Sequence, residues 1–350
     1  MTTADARMPG RPGRRDTYPG HLGLPLSFVA TRMLPIRPGQ IAAWEVAIIA
    51  AASTFTVFGF AGRFVATLAA VLVVGTTSVR VAGRHFAGWT LTWIGYRLLR
   101  HHDRKLATDP LLGLVPDFRL RQHVDRTGNH FGIAGVADGW SAVVRVHGDP
   151  DPRTLLHVVR QACDNEDIPL AAAQLTIRVD SSERVHLVAV RFRAAEAPLA
   201  AISRGAGELG PLRATARAAV GVVGALADAG CRATVLEAGE LAAELRASLG
   251  VSSQGGVSDG WSSWSAGDTA QAGFAASADA LGTHARNAAF TITSATVSRT
   301  RHGKLRDDVV VRAAGLCGRP CPRDFDVPVV PLYGRHESAV RRTLPLALAR

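Results

Sequence analysis

The feature that most constrains this chain is a long, almost uncharged stretch near its N-terminus. Between Val46 and Arg80 the only charged side chain is Arg63. As one helix the stretch would be roughly 50 Å long, well beyond the roughly 30 Å of a bilayer's hydrocarbon layer. The glycines just before Arg63 permit a tight turn that would divide it into two spans. The sequence therefore predicts a transmembrane helical hairpin over residues 41–80.

The charge distribution predicts how such a hairpin would be oriented. The chain has a formal net charge of +11, and nearly all of this excess lies before Leu106. Because the basic residues flank the hairpin on both sides, the positive-inside rule predicts an inner-membrane, multi-pass protein with both termini in the cytoplasm. A buried helical hairpin of a soluble protein is the alternative, and Glu45 is the main feature in its favour. The residues predicted to anchor and orient the hairpin are Arg37, Arg63, Arg80, Arg84, Trp89, Trp93, Arg97 and Arg100.

The segments on either side of the hairpin differ in character. Residues 1–40 are rich in Pro, Gly and Arg, which predicts a disordered basic tail on the cytosolic side. Residues 81–105 place Trp89, Trp93 and Tyr96 at helical spacing among arginines. This pattern is typical of an amphipathic juxtamembrane helix with aromatic rings at the lipid interface. Packing of the same stripe against a partner's helix is the alternative.

The remaining residues, 106–350, read as one folded domain in the cytosol. Short alternating runs are separated by Gly, Asp and Pro, as at Asp138-Gly139, where a hairpin turn is expected. Helical patterns lie between the strand pairs, and a strand is predicted over residues 256–265. This arrangement predicts an α+β domain with a mixed or antiparallel sheet. The domain is nearly neutral and its basic residues are dispersed among acids, so we expect no nucleic acid as a partner.

A search for reactive constellations finds none in the sequence. Phosphate-loop, dinucleotide, nucleophile-elbow and zinc-protease motifs are absent. Cys317 and Cys321 could form half of a metal site, but no second pair and no nearby histidine complete it. The four cysteines are expected to be thiols in the cytosol. We therefore predict no catalytic residues, no bound metal and no cofactor, and no enzymatic activity.

Several stretches nonetheless resemble a known family. These are residues 121–146, with a strand, a turn and a second strand; residues 185–193, although a Trp common there is missing; residues 231–241; and the strand of Trp261 and Trp264 followed by residues 271–275. Together with the N-terminal apolar stretch, they resemble EccE, a membrane component of the type VII (ESX-type) secretion machinery of actinobacteria. The resemblance covers nearly the whole chain after residue 40.

The resemblance implies a structural role rather than a reaction. EccE-like proteins are membrane subunits of the secretion complex, and the implied partners are the subunits EccB, EccC and EccD, together with membrane lipids. Trp261, Trp264 and Phe274 are the candidate partner contacts, although a Trp on a strand is more often part of a core. A membrane-tethered, transferase-like enzyme and a ligand-binding regulator are the alternative functions.

Overall fold

The computed structural model describes residues 38–57, 59–78, 80–81, 84–99, 109–165, 167–250, 257–267, 269–300, 303–315 and 320–349. The predicted tail over residues 1–40 therefore lies almost entirely outside the described residues. The chain divides into two compact units, Met1–Gly75 and Thr76–Arg350.

The described part of the first unit consists of two helices, and the second of them continues just past the end of the unit. They are α1, Pro38–Val57, and α2, Phe60–Ser78. Large apolar side chains are exposed on both helices, for example Ile49 and Phe64. Glu45 on α1 and Arg63 on α2 are also exposed.

The predicted transmembrane hairpin is wrong. No helix in the described part of the chain combines the length and the apolar character that a membrane crossing requires. The physical reason is that each helix includes an exposed charged residue, Glu45 in α1 and Arg63 in α2. The uncharged remainder of α1, from Val46 to Val57, is only about 18 Å long at the helical rise per residue, against roughly 30 Å of hydrocarbon. The predicted multi-pass localisation is corrected with it.

The second unit opens with a small ribbon and two helices. The strands β1, Arg80–Val81, and β2, Arg84–His85, pair antiparallel, and α3, Phe86–Leu99, follows directly. The short helix α4, Pro110–Leu114, is capped by Asp109, whose side chain accepts a hydrogen bond from the Leu111 backbone N–H at 2.9 Å. Pro110 suits the first turn because its missing N–H would have no helical partner there.

A large sheet forms the centre of the second unit. Its 12 strands, among the described residues, follow the order β3-β4-β5-β7-β6-β12-β13-β11-β10-β9, with β8 beside β5 and β14 beside β11. The strands are β3 (Arg119–Val124), β4 (His130–Val136), β5 (Gly139–Val146), β6 (Ala172–Asp180), β7 (Arg184–Arg193), β8 (Ala233–Val235), β9 (Val257–Asp259), β10 (Trp264–Ala266), β11 (Thr269–Ala275), β12 (Ala288–Arg299), β13 (Leu305–Gly315) and β14 (Val330–Pro331).

Every strand pairing in the described residues is antiparallel. Tight turns explain this arrangement. Ala137, at a φ of 52°, turns the chain between β4 and β5, and the Asp180 carboxylate accepts backbone hydrogen bonds from Ser182 and Glu183 between β6 and β7, each at 2.8 Å. Such local side-chain bonds favour hairpins over crossover connections.

Helices cover both faces of the sheet. On one face lie α5 (Pro152–Asp164), α6 (Pro198–Ile202) and α7 (Leu209–Asp228), packed on alternate residues of the central strands such as Leu175 and Val190. The opposite face carries α4, α8 (Ala238–Leu249) and α9 (His336–Thr343), packed on residues such as Leu187. The alternation of the two sets along β7 is the period-2 pattern of a sheet that is buried on both sides.

The C-terminal residues complete the second of these cores. Leu344, Leu346 and Ala347 are fully buried on the α8–α9 face of the sheet. The Ser141 hydroxyl donates to the carbonyl of Leu346 at 2.7 Å, and the backbone N–H of Ala347 donates to the side-chain oxygen of Gln174 at 2.6 Å. This segment is held by strands that lie far away in sequence.

A buried arginine fastens the end of α8 to the sheet. Arg312 on β13 donates to the side-chain oxygen of Gln271 at 2.6 Å and to the backbone carbonyl of Ser248. Gln271 in turn donates to the carbonyl of Leu249 at 2.7 Å. These carbonyls belong to the last turn of α8, where helical partners are missing and the helix dipole favours a cation.

The structure divides the strand predicted over residues 256–265. It forms β9 and β10 instead, joined by a turn in which the Gly260 N–H donates to the carbonyl of Ser263 at 2.8 Å. A Cβ at Gly260 would lie 2.8 Å from that oxygen, so the turn requires glycine there. As a result Trp261 lies in a turn and Trp264 lies on a strand.

Candidate functional site

An aromatic cluster attaches α3 to the sheet. The rings of Trp89 and Trp261 lie 5.2 Å apart, Trp89 and Tyr333 5.1 Å apart, and Tyr96 and Trp261 5.4 Å apart. These separations are typical of favourable aromatic pairs. We name Trp89, Tyr96, Trp261 and Tyr333 the aromatic clasp. The side of the predicted juxtamembrane helix that carries Trp89 and Tyr96 therefore packs against residues of the same chain.

Hydrogen bonds reinforce the aromatic clasp. The Tyr96 hydroxyl donates to the carbonyl of Asp259 at 3.2 Å, and the Arg335 guanidinium donates to the Thr92 hydroxyl at 3.1 Å. The backbone N–H that follows Tyr333, that of Gly334, donates to the carbonyl of Trp261 at 2.7 Å. Gly334 is required because its φ is 66° and a Cβ would lie 2.6 Å from the Trp261 ring. The clasp therefore holds α3 in a defined orientation.

The opposite side of α3 is apolar and exposed. Leu91 and Leu98 are each 71% exposed, and Ile94 is 45% exposed. The helical spacing of these three residues places them on one side, away from Trp89 and Tyr96. We name Leu91, Ile94 and Leu98 the outer face of α3. A surface of large aliphatic side chains on a fixed helix is typical of a protein contact site.

Trp93 and Arg97 lie beside the outer face. Trp93 is 48% exposed, and the Arg97 guanidinium lies 5.4 Å from the centre of its ring. This distance is within the range of a cation–π interaction. Of the predicted anchoring residues, Arg63 lies exposed on α2, Arg80 and Arg84 lie on the β1–β2 ribbon, and Arg37 and Arg100 lie outside the described residues. Lipid contact by this set stays a prediction.

The three candidate partner contacts have different surroundings. Trp264 is fully buried in the core beneath α8 and α9. Phe274 is 1% exposed and packs edge-on against Phe325, with ring centres 4.9 Å apart. Trp261 is half-buried in the aromatic clasp. Trp264 and Phe274 thus belong to the core, which is the alternative position for an aromatic residue on a strand. The outer face of α3 is the surface that the sequence reasoning missed, although the spacing of its leucines indicates it.

A groove of about 680 Å³ lies between α5 and α7 on the other face of the sheet. Its rim carries Gln161, Asn165 and Asp167 on one side and Arg204 and Arg217 on the other. The floor is apolar: Ala162, Ile168, Leu170, Ala218, Val222 and Ala225. The volume is in the range of ligand sites, but among the described residues of this lining Asp167 is the one carboxylate, and no histidine or cysteine accompanies it. The described lining therefore does not offer the pair of titratable groups that acid–base catalysis uses.

Three cysteines lie in the described part of the chain, and one of them is buried. Burial raises the pKa of the Cys163 thiol to about 12, which keeps it protonated and inert. Cys231 and Cys321 are free thiols, and Cys317 lies outside the described residues. No group of three or more histidine, cysteine or acidic side chains that could hold a metal ion occurs in the part of the chain that the structure describes.

His186 on β7 predicts a pH dependence of stability. It is fully buried, neither ring nitrogen has a hydrogen-bond partner, and burial lowers its pKa despite Asp149, whose carboxylate lies 3.7 Å away. The unfolded chain therefore binds a proton near pH 6.5 that the folded chain accepts only at lower pH. We expect the free energy of unfolding to fall as the pH falls from 7 to 5.

Urea unfolding of the wild type and of His186→Gln at pH 7 and pH 5 measures this effect. The variant should lose less stability between the two values, because the group that titrates in the core is gone. Burial also lowers the pKa of His123, so part of the pH dependence of stability should remain in both proteins. Equal slopes in the two proteins would contradict the assignment to His186.

A comparison with known proteins finds a family match within the second unit. A family model described as "EccE: Putative type VII ESX secretion system translocon, EccE" matches residues 181–276. Residues 181–276 are therefore similar to the EccE family, and we name them the EccE segment. The resemblance stated from the sequence is thus confirmed over those residues. No curated protein matches the chain.

The EccE segment coincides with defined parts of the structure. It runs from just before β7 to just after β11, and so contains α6, α7 and α8. Trp261 of the aromatic clasp lies within it, as does Arg217 on the rim of the groove. The aromatic clasp and the rim of the groove therefore each contain at least one residue of this segment.

Proposed function

We propose that this chain is a structural subunit of a type VII secretion complex that contributes protein–protein contacts and catalyses no reaction of its own. The match of the EccE family model to residues 181–276 carries the proposal. The partners in this proposal are the other secretion subunits, of the EccB, EccC and EccD types. The groove, with one carboxylate among its described residues, offers no support for the enzymatic alternative.

The outer face of α3 is the contact surface in this proposal. The aromatic clasp holds the helix through Trp89 and Tyr96, so little conformational entropy remains to be lost when a partner binds. Leu91, Ile94 and Leu98 then present the i, i+3, i+7 spacing by which a helix packs against another helix. A partner that covers this face removes large apolar side chains from water, which is the main favourable term in association.

Copurification from the native host tests the proposal. A tagged chain expressed at native level should bring down the EccB-, EccC- and EccD-type subunits. The double variant Leu91→Glu/Leu98→Glu should reduce their recovery by roughly tenfold or more, because charges placed in an apolar contact stay unpaired. Leu112→Glu/Leu305→Glu is the matched control, since it changes two exposed leucines elsewhere.

Two outcomes of copurification, and one outcome of a vesicle-binding measurement, count against the structural role or against α3 as the contact surface. If the tagged chain is recovered alone while the other subunits copurify without it, the structural role is wrong. If both double variants behave alike, the contact lies elsewhere than on α3. If the wild type binds anionic vesicles and Trp93→Ala/Arg97→Ala does not, while copurification is unchanged, this side of α3 belongs to lipid rather than to a subunit.

A further inference from the structure

The groove between α5 and α7 is open because small residues line α7. Ala218, Gly221 and Ala225 face it from that helix. A Cβ added at Gly221 would have no atom within 4 Å, so the space beside it is empty. On the opposite wall Ala162 of α5 is equally small. Side chains from another molecule can therefore enter where the chain supplies none of its own.

Among the described residues, the rim of the groove carries two guanidinium groups, those of Arg204 and Arg217, and one carboxylate, that of Asp167. The Arg217 side chain is exposed and makes no hydrogen bond or ion pair with any residue that the structure describes. Arg204 is half-buried and fixed, because it donates to the carbonyl of Ala200 at 2.9 Å while its own carbonyl accepts from Arg213 at 3.0 Å. Asp167 on the other rim offsets one of these charges. The groove thus favours an anionic occupant.

Apolar surface continues beyond the groove on the Arg204 side. Leu199 and Ile202 on α6 are 82% and 73% exposed, which are high values for large aliphatic side chains. Ile202 lies two residues before Arg204, so this surface adjoins the rim. A molecule that filled only the groove would leave both side chains in water. The occupant that fits the whole surface is longer than a small ligand and is apolar on one side.

We propose that the groove between α5 and α7 docks an acidic amphipathic segment of a partner protein. Its apolar side chains occupy the floor formed by Ile168, Ala218 and Val222, and its carboxylates pair with Arg204 and Arg217. Paired carboxylates and guanidinium groups provide directional hydrogen bonds as well as charge attraction. The inference goes beyond the proposed function, since it names a second surface and a chemical class of partner.

A synthetic peptide tests this docking directly. The probe is a fluorescein-labelled 12-residue helix-forming peptide with leucine along one side and glutamate along the other, titrated with the full chain and followed by fluorescence anisotropy. Matched peptides carry glutamine or lysine in place of glutamate. We expect the glutamate peptide to bind at least tenfold more tightly than either, and its affinity to fall as salt is raised.

Variants on α7 locate the binding surface. Gly221→Phe fills the groove, and Gly224→Phe is its matched control, because a Cβ at Gly224 also meets nothing within 4 Å and Gly224 does not line the groove. Arg217→Glu reverses a rim charge, and Arg246→Glu, exposed on α8, is the control for charge. Gly221→Phe and Arg217→Glu should weaken the glutamate peptide at least tenfold, while the two controls bind as the wild type does.

Several results would overturn the docking proposal. Equal binding of all three peptides would show that the negative charge of the peptide does not contribute. Unchanged binding by Gly221→Phe would show that the peptide does not occupy the groove. Saturation by dodecanoate together with no peptide binding would assign the site to a small apolar anion instead. Because the peptide assay needs no secretion subunit, its failure is separate from a failure of the copurification test.

Discussion

Arg312→Ala should lower the free energy of unfolding by about 3–5 kcal/mol. The guanidinium is fully buried, and no carboxylate among the described residues pairs with it. Burial lowers its pKa to about 9, so it still carries its charge at neutral pH. The carbonyls at the end of α8 and the side chain of Gln271 stabilise that charge. The alanine variant leaves these groups without a partner and opens a cavity beside Phe290, whose ring lies 5.9 Å away.

Chemical unfolding followed by circular dichroism measures the loss. Arg306→Ala is the matched control, because Arg306 lies on the same strand and is exposed, and it should change stability by less than about 0.5 kcal/mol. Arg312→Lys should recover only part of the loss, since an ammonium group cannot reach the Ser248 carbonyl and Gln271 with the geometry of a guanidinium. If the free energy of unfolding of Arg312→Ala equals that of the wild type, the last turn of α8 does not depend on this residue.

Leu346→Asp should prevent stable folding of the second unit. The residue is fully buried, and its carbonyl is held by Ser141. An aspartate there buries a carboxylate in an apolar cluster and removes the packing of a large side chain, at a combined cost of about 4 kcal/mol or more. That is a large share of the roughly 5–15 kcal/mol by which a typical domain is stable.

A graded series makes this second prediction measurable. Leu346→Ala should fold and lose about 2–5 kcal/mol, whereas Leu199→Asp, at an exposed position, should unfold at the wild-type temperature. Thermal unfolding and soluble yield report both effects. If Leu346→Asp unfolds at the same temperature as Leu199→Asp, the C-terminal segment is not part of the stabilising core.

Local signals in the sequence predict much of the second unit. The Asp138-Gly139 pair marks the turn between β4 and β5, and Asp151 with Pro152 marks the start of α5, where the Asp151 side chain accepts from the backbone N–H of Arg153. These signals work because the turn and the cap are each decided by a few neighbouring residues. The α+β pattern with antiparallel strands follows from the same signals.

Features that depend on distant contacts could not be predicted in this way. The C-terminal Leu344 to Leu348 reads as a short apolar run, and only its contacts with Ser141 and Gln174 make it core. The predicted transmembrane hairpin failed because a count of uncharged residues gives no weight to Glu45 and Arg63, which the two helices themselves include. For α3, the spacing of Trp89 and Tyr96 indicates an apolar stripe but not that Trp261 and Tyr333 cover it.

The strand order has a consequence for the growing chain. Strands β3 to β8 form one half of the sheet and β9 to β14 the other, and the two halves join where β6 pairs with β12 along nine residues from Ala172 to Asp180. A nascent chain that has released only the first half presents the open edge of β6, a template for aggregation. The edge of β6 is therefore covered only once the later strand β12 has been synthesised.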